Sequence, residues 1–160
     1  MSHEFIDKMM EQTKAGELRS PVSETLGMQL VESGRGEAVY EMDAREELGN
    51  PLGVIQGGVV TALADAAMAA ATTTILTDEE IQKSAITTVD VFARFIRPVN
   101  AKKVERLRAE AKVVRAGGRL VWAEADLLAD GEIVGKFAAT GIRVAFDPQS
   151  YIAARGGSDE

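Results

Sequence analysis

Residues 50–76 read NPLGVIQGGVVTALADAAMAAATTTIL. From Gly57 to Leu76 there are twenty residues and one charge, Asp65. Such a run is long enough for a transmembrane helix, but Ala, Gly and Thr are only weakly apolar, and an Asp at a helix centre is costly in lipid. A buried core helix is the alternative, with its Asp either structural or functional. A buried carboxylate costs several kcal/mol unless it is paired, hydrogen-bonded or neutralised, so it needs a partner or a use. Helical spacing sets Thr61, Asp65, Met68, Ala69 and Thr72 along one side, and Val59, Leu63, Ala66, Ala67 and Ala70 largely along the other. Asp65 then belongs to a slightly polar stripe able to border a cleft. Gly57 and Gly58 open the run. They leave the first helical N–H groups unshielded, which suits an anion or a developing oxyanion, although two glycines also make an ordinary tight turn. Asn50 and Gln56 precede them, two amides able to hold a carbonyl or a water.

The rest of the chain supplies a sheet. Residues 3–15 form a short amphipathic helix on Phe5, Ile6, Met9 and Met10, and 16–27 read as a loop containing Pro21. Residues 28–33 and 37–42 are strands around Gly34-Arg35-Gly36, a hairpin signal. Residues 43–56 are a turn-rich connection, and the helix is expected to end near Thr77. In the second half, Val89, Val91, Ala93 and Phe95 alternate with Asp90, Phe92, Arg94 and Ile96, and Pro98 stops the run. Residues 106–113 alternate strictly, yet they also have good helix propensity. Strands follow from Val121 to Leu127 and from Ile133 to Phe146, joined by Asp130-Gly131. Gly135 and Gly141 mark bulges or close approaches. The expected fold class is α+β, an antiparallel sheet wrapped around one long central helix. Residues 1–27 are an N-terminal helix and loop, 28–146 the main domain and 147–160 a loose tail.

The 160 residues fit one domain, and 46 % hydrophobic with 27 % charged residues is ordinary for a globular protein. There is no cysteine, and the one histidine is His3 near the start. Thiolate chemistry, a Ser-His-Asp triad and a histidine-based metal site are therefore not expected, and acid–base work falls to carboxylates, lysine or tyrosine. The start MSHEFIDKMM lacks the pattern of a signal peptide, so a cytoplasmic location is expected. The net charge of −7 argues against general nucleic-acid binding. One window is basic: between Arg94 and Arg119 nine Lys/Arg face only Glu105 and Glu110. That window is either a solvated strand face or a patch for a phosphorylated small molecule.

The pattern Asn50-x-x-Gly53-x-x-Gln56-Gly57-Gly58 followed by Leu63-Ala64-Asp65 resembles the hotdog-fold acyl-CoA thioesterases, and most closely their phenylacetate-degradation branch. Phe95-Ile96-Arg97-Pro98 and the order of elements from about Met28 to Val144 resemble it too. The resemblance implies the hotdog fold and hydrolysis of a small or medium acyl- or aryl-CoA thioester. It makes Asp65 the catalytic carboxylate, as nucleophile or as base for water. Gly57 N–H would polarise the carbonyl, Asn50 would position carbonyl or water, and Thr88 would stand near the nucleophilic water. Arg97, Arg115 and Arg119 would meet the phosphates of coenzyme A, which is substrate rather than cofactor. Gln56 stands where the branch usually has His. Glutamine donates a hydrogen bond but carries no proton, so a non-catalytic acyl-CoA binding protein on the same fold is the alternative. A hydratase would need a catalytic His, and a repressor would need a DNA-binding domain that 27 residues cannot supply.

One consequence is geometric. Gly57 and Asp65 lie eight residues apart, roughly 12 Å along a helix axis, whereas one thioester carbon must be within ~3–3.5 Å of both nucleophile and donor. Two antiparallel copies of the helix solve this, so a homodimer with shared sites is expected; the resemblance also implies dimers formed by joining sheets, and dimers of such dimers.

Overall fold

The computed structural model describes residues 1–147; the expected tail from 148 onward lies outside the described residues. Six strands form one antiparallel sheet: β1 (Gln29–Gly34), β2 (Glu37–Asp43), β3 (Ser84–Phe95), β4 (Arg106–Ala116), β5 (Leu120–Ala129) and β6 (Glu132–Ala145). Their spatial order is β1-β2-β4-β5-β6-β3. The helices are α1 (Glu4–Lys14), α2 (Pro21–Leu26), α3 (Gly57–Thr73) and α4 (Asp78–Ile81). α3 is the central helix. Val60, Leu63, Ala64, Ala67, Met68 and Ala71 on it are buried against Ala38, Leu107, Ala109, Ala123, Ala125 and Leu127 of the sheet. Alanines on both sides let the helix lie close to the strands. No helix among the described residues is long and apolar enough to cross a membrane.

Three sequence expectations need correction. Residues 16–27 are not all loop. Ser20 caps α2 by accepting from Ser23 N, Pro21 fills the first helical position and Gly27 closes the helix at φ 74°, the usual asymmetry of helix ends. α3 stops at Thr73 rather than near Thr77, and Thr77 instead caps α4 through a reciprocal capping box with Glu80. The two sides assigned to α3 also shift. Met68 and Thr72 are buried, whereas Val59, Ala66 and Ala70 lie with Asp65 on the half-exposed side. A run of alanines carries too little polarity contrast to fix the rotation of the helix.

The strand expectations hold, including the 106–113 segment and the Asp130-Gly131 turn, where both residues have positive φ. The β1–β2 hairpin tip docks on the end of α3: Gly36 N–H donates to Thr74 Oγ1 at 2.8 Å, and Arg35 Nη1 donates to the Thr74 carbonyl. α1 is pinned by a distant residue. The Asp78 carboxylate accepts from Phe5 N at 3.1 Å and Ile6 N at 3.4 Å, supplying the cap that His3 does not.

A bulge at Val89 interrupts the β3–β6 register, which jumps from Thr88↔Gly141 to Asp90↔Thr140. The Asp90 carboxylate accepts the Thr140 N–H there at 3.0 Å. The bulge changes which residues face the helix. Val91 and Ala93 pack on the core, and so does Ile86, while Asp90, Phe92 and Arg94 face outward. Gly141 permits this approach, since a Cβ on it would lie 2.6 Å from Ile86 Cγ2.

Candidate active site

Asp65 sits in the middle of α3, half-buried, on the side that leans toward β3. Thr88 Oγ1 donates to Asp65 Oδ1 at 2.9 Å. Unbroken alternation would put Thr88 on the outer face beside Asp90 and Phe92. The bulge at Val89 turns it inward, so backbone irregularity creates this contact. The other carboxylate oxygen makes no hydrogen bond among the described residues and is open to a water or a substrate atom.

The first turn of α3 is built differently. Gln56 is its N-cap, is exposed and makes no side-chain capping bond. The turn is held through its backbone, with Gln56 N–H donating to Leu48 O at 2.9 Å and Ile55 N–H to Val99 O at 2.8 Å. The N–H groups of Gly57 and Gly58 have no acceptor among the described residues, so the positive end of the helix is unfilled. Phe95 packs over Gly57, where a Cβ would lie 3.1 Å from its ring; at Gly58 a Cβ would meet nothing within 4 Å. Asn50 Oδ1 accepts from Leu52 N at 2.9 Å and Val54 N at 3.2 Å. Its oxygen thus shapes the loop, and only its amide N–H groups remain for a ligand. Asn50, Gly57, Phe95 and Arg97 border a cavity of about 390 Å³.

The chain therefore brings two pairs together, Asp65 with Thr88 and Gly57 with Asn50, and keeps the pairs apart. Both Gly57 and Asp65 belong to one uninterrupted helix, so the separation of roughly 12 Å stands. A second cavity, of about 450 Å³, opens on Asp65 from the other side.

The basic window does not form one patch. Arg106 pairs with Glu41 and Asp43, and Arg108 with Glu32, Glu41 and Glu110. The hydrogen bonds that Arg108 donates to Glu32 and Glu110 raise its pKa further; burial pushes the Glu41 carboxyl up, but the hydrogen bonds it accepts from Arg108 and Arg106 outweigh this and hold it below the ordinary carboxylate range. Arg97 stays beside the Gly57 cavity, bridged to Glu132 at 3.1 Å. Arg115 lies over the Trp122 ring at 5.9 Å, and Arg119 is in the β4–β5 turn. Arg97 is level with Val134, whereas Arg115 is level, through Trp122, with Thr140 and Arg119 with Arg143, so Arg97 stands roughly 20 Å along the strands from Arg115 and roughly 30 Å from Arg119. Among the described residues no three His, Cys, Asp or Glu side chains gather to hold a metal.

The family model described as the thioesterase superfamily matches residues 52–136. No curated protein matches the chain in sequence. A mutant of the phenylacetic acid degradation protein PaaI from Thermus thermophilus is 26% identical, with TM-score 0.70, over 78% of this chain and 100% of that one. A phenylacetic acid degradation-related protein from Ralstonia eutropha JMP134 is 27% identical, with TM-score 0.71, over 83% and 98%. A thioesterase family protein from Silicibacter pomeroyi is 26% identical, with TM-score 0.73, over 86% and 99%.

Proposed function

The chain belongs to the thioesterase superfamily, and from that premise we propose that it hydrolyses acyl-CoA thioesters at two equivalent sites shared across a homodimer. The observation that carries this reading is the division of the site along α3: an open pair of N–H groups at its start, and a carboxylate oriented by Thr88 at its middle. β3 supplies the means of pairing. It is an edge strand of twelve residues whose outer side has no partner among the described residues, and Val89, Phe92 and Phe95 on it are exposed. A long apolar edge needs cover. Antiparallel pairing of β3 with its copy continues the sheet and sets the two α3 helices antiparallel, Gly57 of one facing Asp65 of the other. Phe92, Val114 and Trp122, exposed beside one another on the sheet, would serve the joining of two dimers.

In this arrangement the thioester oxygen lies at the Gly57 N–H of one chain, where the helix terminus stabilises developing negative charge. Asp65 of the other chain attacks the carbonyl carbon to form a mixed anhydride that water then hydrolyses, or takes a proton from the water that attacks it directly. Thr88 fixes the rotamer of Asp65 in either case. The C–S bond breaks and the thiolate leaves with little need of protonation, so Gln56 in place of His does not stop the reaction. Arg97, beside the Gly57 cavity, would meet the pyrophosphate of coenzyme A. Thiol release from a panel of acyl- and aryl-CoA thioesters tests the reading. Turnover that disappears in Asp65→Asn supports it. Tight acyl-CoA binding with no turnover of any thioester would favour the non-catalytic binding protein instead.

A further inference from the structure

Thr88 reaches Asp65 because β3 slips by one residue at Val89. After the slip, Val91 and Ala93 pack on the core; before it, Ile86 and Thr88 point inward. A regular strand would carry the frame of Val91 back to Val89 and Thr87, and would turn Ile86 and Thr88 outward. Burial barely separates the two frames. The bulged one packs Ile86 on the core and leaves Val89 55% exposed, and the regular one would exchange these two β-branched side chains. Specific contacts must therefore choose between them. One lies on the outer face of the sheet. Asp90 Oδ1 accepts the Thr140 N–H at 3.0 Å, so a side-chain oxygen takes a donor of the neighbouring strand where the register breaks. The other lies on the inner face, where Gly141 has no Cβ and leaves room for Ile86.

We infer that Asp90 is a positioning residue for the reaction: by fixing the bulge it holds Thr88 inward and, through Thr88, orients the Asp65 carboxylate. The inference rests on the assignment of Asp65 to the reaction centre. Asp90 itself is exposed and faces away from α3, so the sheet stands between it and the reacting atoms. What it controls is the register of one strand. Without its side-chain oxygen the bulged frame loses a contact that the regular frame does not need. Thr88 then turns outward, and Val89, which has no hydrogen to donate, takes its place beside Asp65. The carboxylate loses the one hydrogen bond it accepts among the described residues and is free to leave its rotamer.

Asp90→Ala removes the acceptor at an exposed position, and Asp90→Val does the same while keeping strand propensity should alanine weaken the strand. Asp90→Asn keeps a carbonyl oxygen able to accept the Thr140 N–H. The experiment measures kcat and KM on the fastest thioester of an acyl- and aryl-CoA panel. It also measures, by NMR on the free protein, the nuclear Overhauser contact between the Thr88 and Asp65 side chains and the exchange rate of the Thr140 amide. Asp90→Ala and Asp90→Val should lower kcat roughly tenfold with KM little altered, the loss expected when the hydrogen bond to Asp65 is deleted. They should also lose the Thr88–Asp65 contact and exchange the Thr140 amide faster, and Asp90→Asn should restore all three. Because Asp90 acts through Thr88, combining Asp90→Ala with Thr88→Val should cost no more than Thr88→Val alone. An unchanged kcat and an unchanged Thr88–Asp65 contact in Asp90→Ala and Asp90→Val overturn the inference, as do losses that multiply in the double variant. The NMR readout separates this inference from the reading it rests on. A wild type that hydrolyses nothing, yet loses the Thr88–Asp65 contact in Asp90→Ala and keeps it in Asp90→Asn, rejects hydrolysis and retains Asp90 as the residue that positions Thr88 and Asp65.

Discussion

The first turn of α3 and its middle lie on the same helix and solve opposite problems. The first turn is bare. It has glycines at two successive positions, no side-chain cap, and N–H groups with no acceptor among the described residues. Its geometry is imposed from outside, by Phe95 against Gly57 and by the loop that Asn50 organises. The middle carries a charge among alanines and holds it by one neighbour, Thr88, delivered by the bulge in β3. One region offers donors without an acceptor, the other an acceptor with a free oxygen. In a single chain they cannot meet. On the proposed reading, half of the reaction sits at each position and a second chain unites them.

The largest effect should come from the middle. Asp65→Asn is expected to lower kcat at least ~100-fold, the usual worth of a positioned base or nucleophile. Thiol-release kinetics on a variant with unaltered oligomeric mass measures this, and near-normal turnover would remove Asp65 from the chemistry. Thr88→Val comes next. It deletes a hydrogen bond to a charged group, worth about 1.5 kcal/mol, and should cost roughly tenfold in kcat with KM little altered. Thr88→Ser should restore most of the loss, and failure of that rescue would point to packing rather than orientation of the carboxylate.

The first turn should respond more weakly at its side chains than in its backbone. Gln56→His is expected to change kcat/KM by no more than about tenfold, or 1.4 kcal/mol, and Gln56→Ala to be worse than either because it removes a donor. A wild type silent on all thioesters, with Gln56→His active, would instead make the residue a proton carrier. The smallest effects concern the cations. Arg97→Glu, beside the Gly57 cavity, should raise KM and weaken its salt dependence, whereas Arg108→Glu, already surrounded by Glu32, Glu41 and Glu110, should leave KM alone. Equal KM changes in both would mean that the basic residues act as a diffuse field.

Much of this contrast was legible in the chain itself. The twenty residues with one charge announce the central helix, and their spacing already keeps Gly57 and Asp65 roughly 12 Å apart along it. The position of Thr88 was reached by resemblance only. Alternation through Val89 assigns it to the wrong face, because a bulge leaves no mark in the pattern of residue types. α2 is not seen when 16–27 is read as loop, although its signals are present, Ser20 before Pro21 and Gly27 after Leu26, with Pro21 as the first helical residue. The basic window misled for a different reason. Neighbours in sequence along β3 and β4 diverge to opposite ends of the sheet, and apart from Glu110 the acids that pair with Arg106 and Arg108 come from β1 and β2, more than sixty residues earlier.

The shared site is tested most directly by a hybrid dimer. Gly57→Pro removes the N–H of the first turn with little strain. The position is the first of the helix, Gln56 at φ −59° and ψ 132° already has the backbone that a following proline needs, and only the Phe95 ring must give way. Asp65→Asn removes the carboxylate. Each homodimer should be nearly inactive. A hybrid of one chain of each, confirmed by mass, regains one intact site out of two and should show about half the wild-type activity per dimer. A confirmed hybrid as inactive as its parents would contradict the account and place the whole reaction within a single chain.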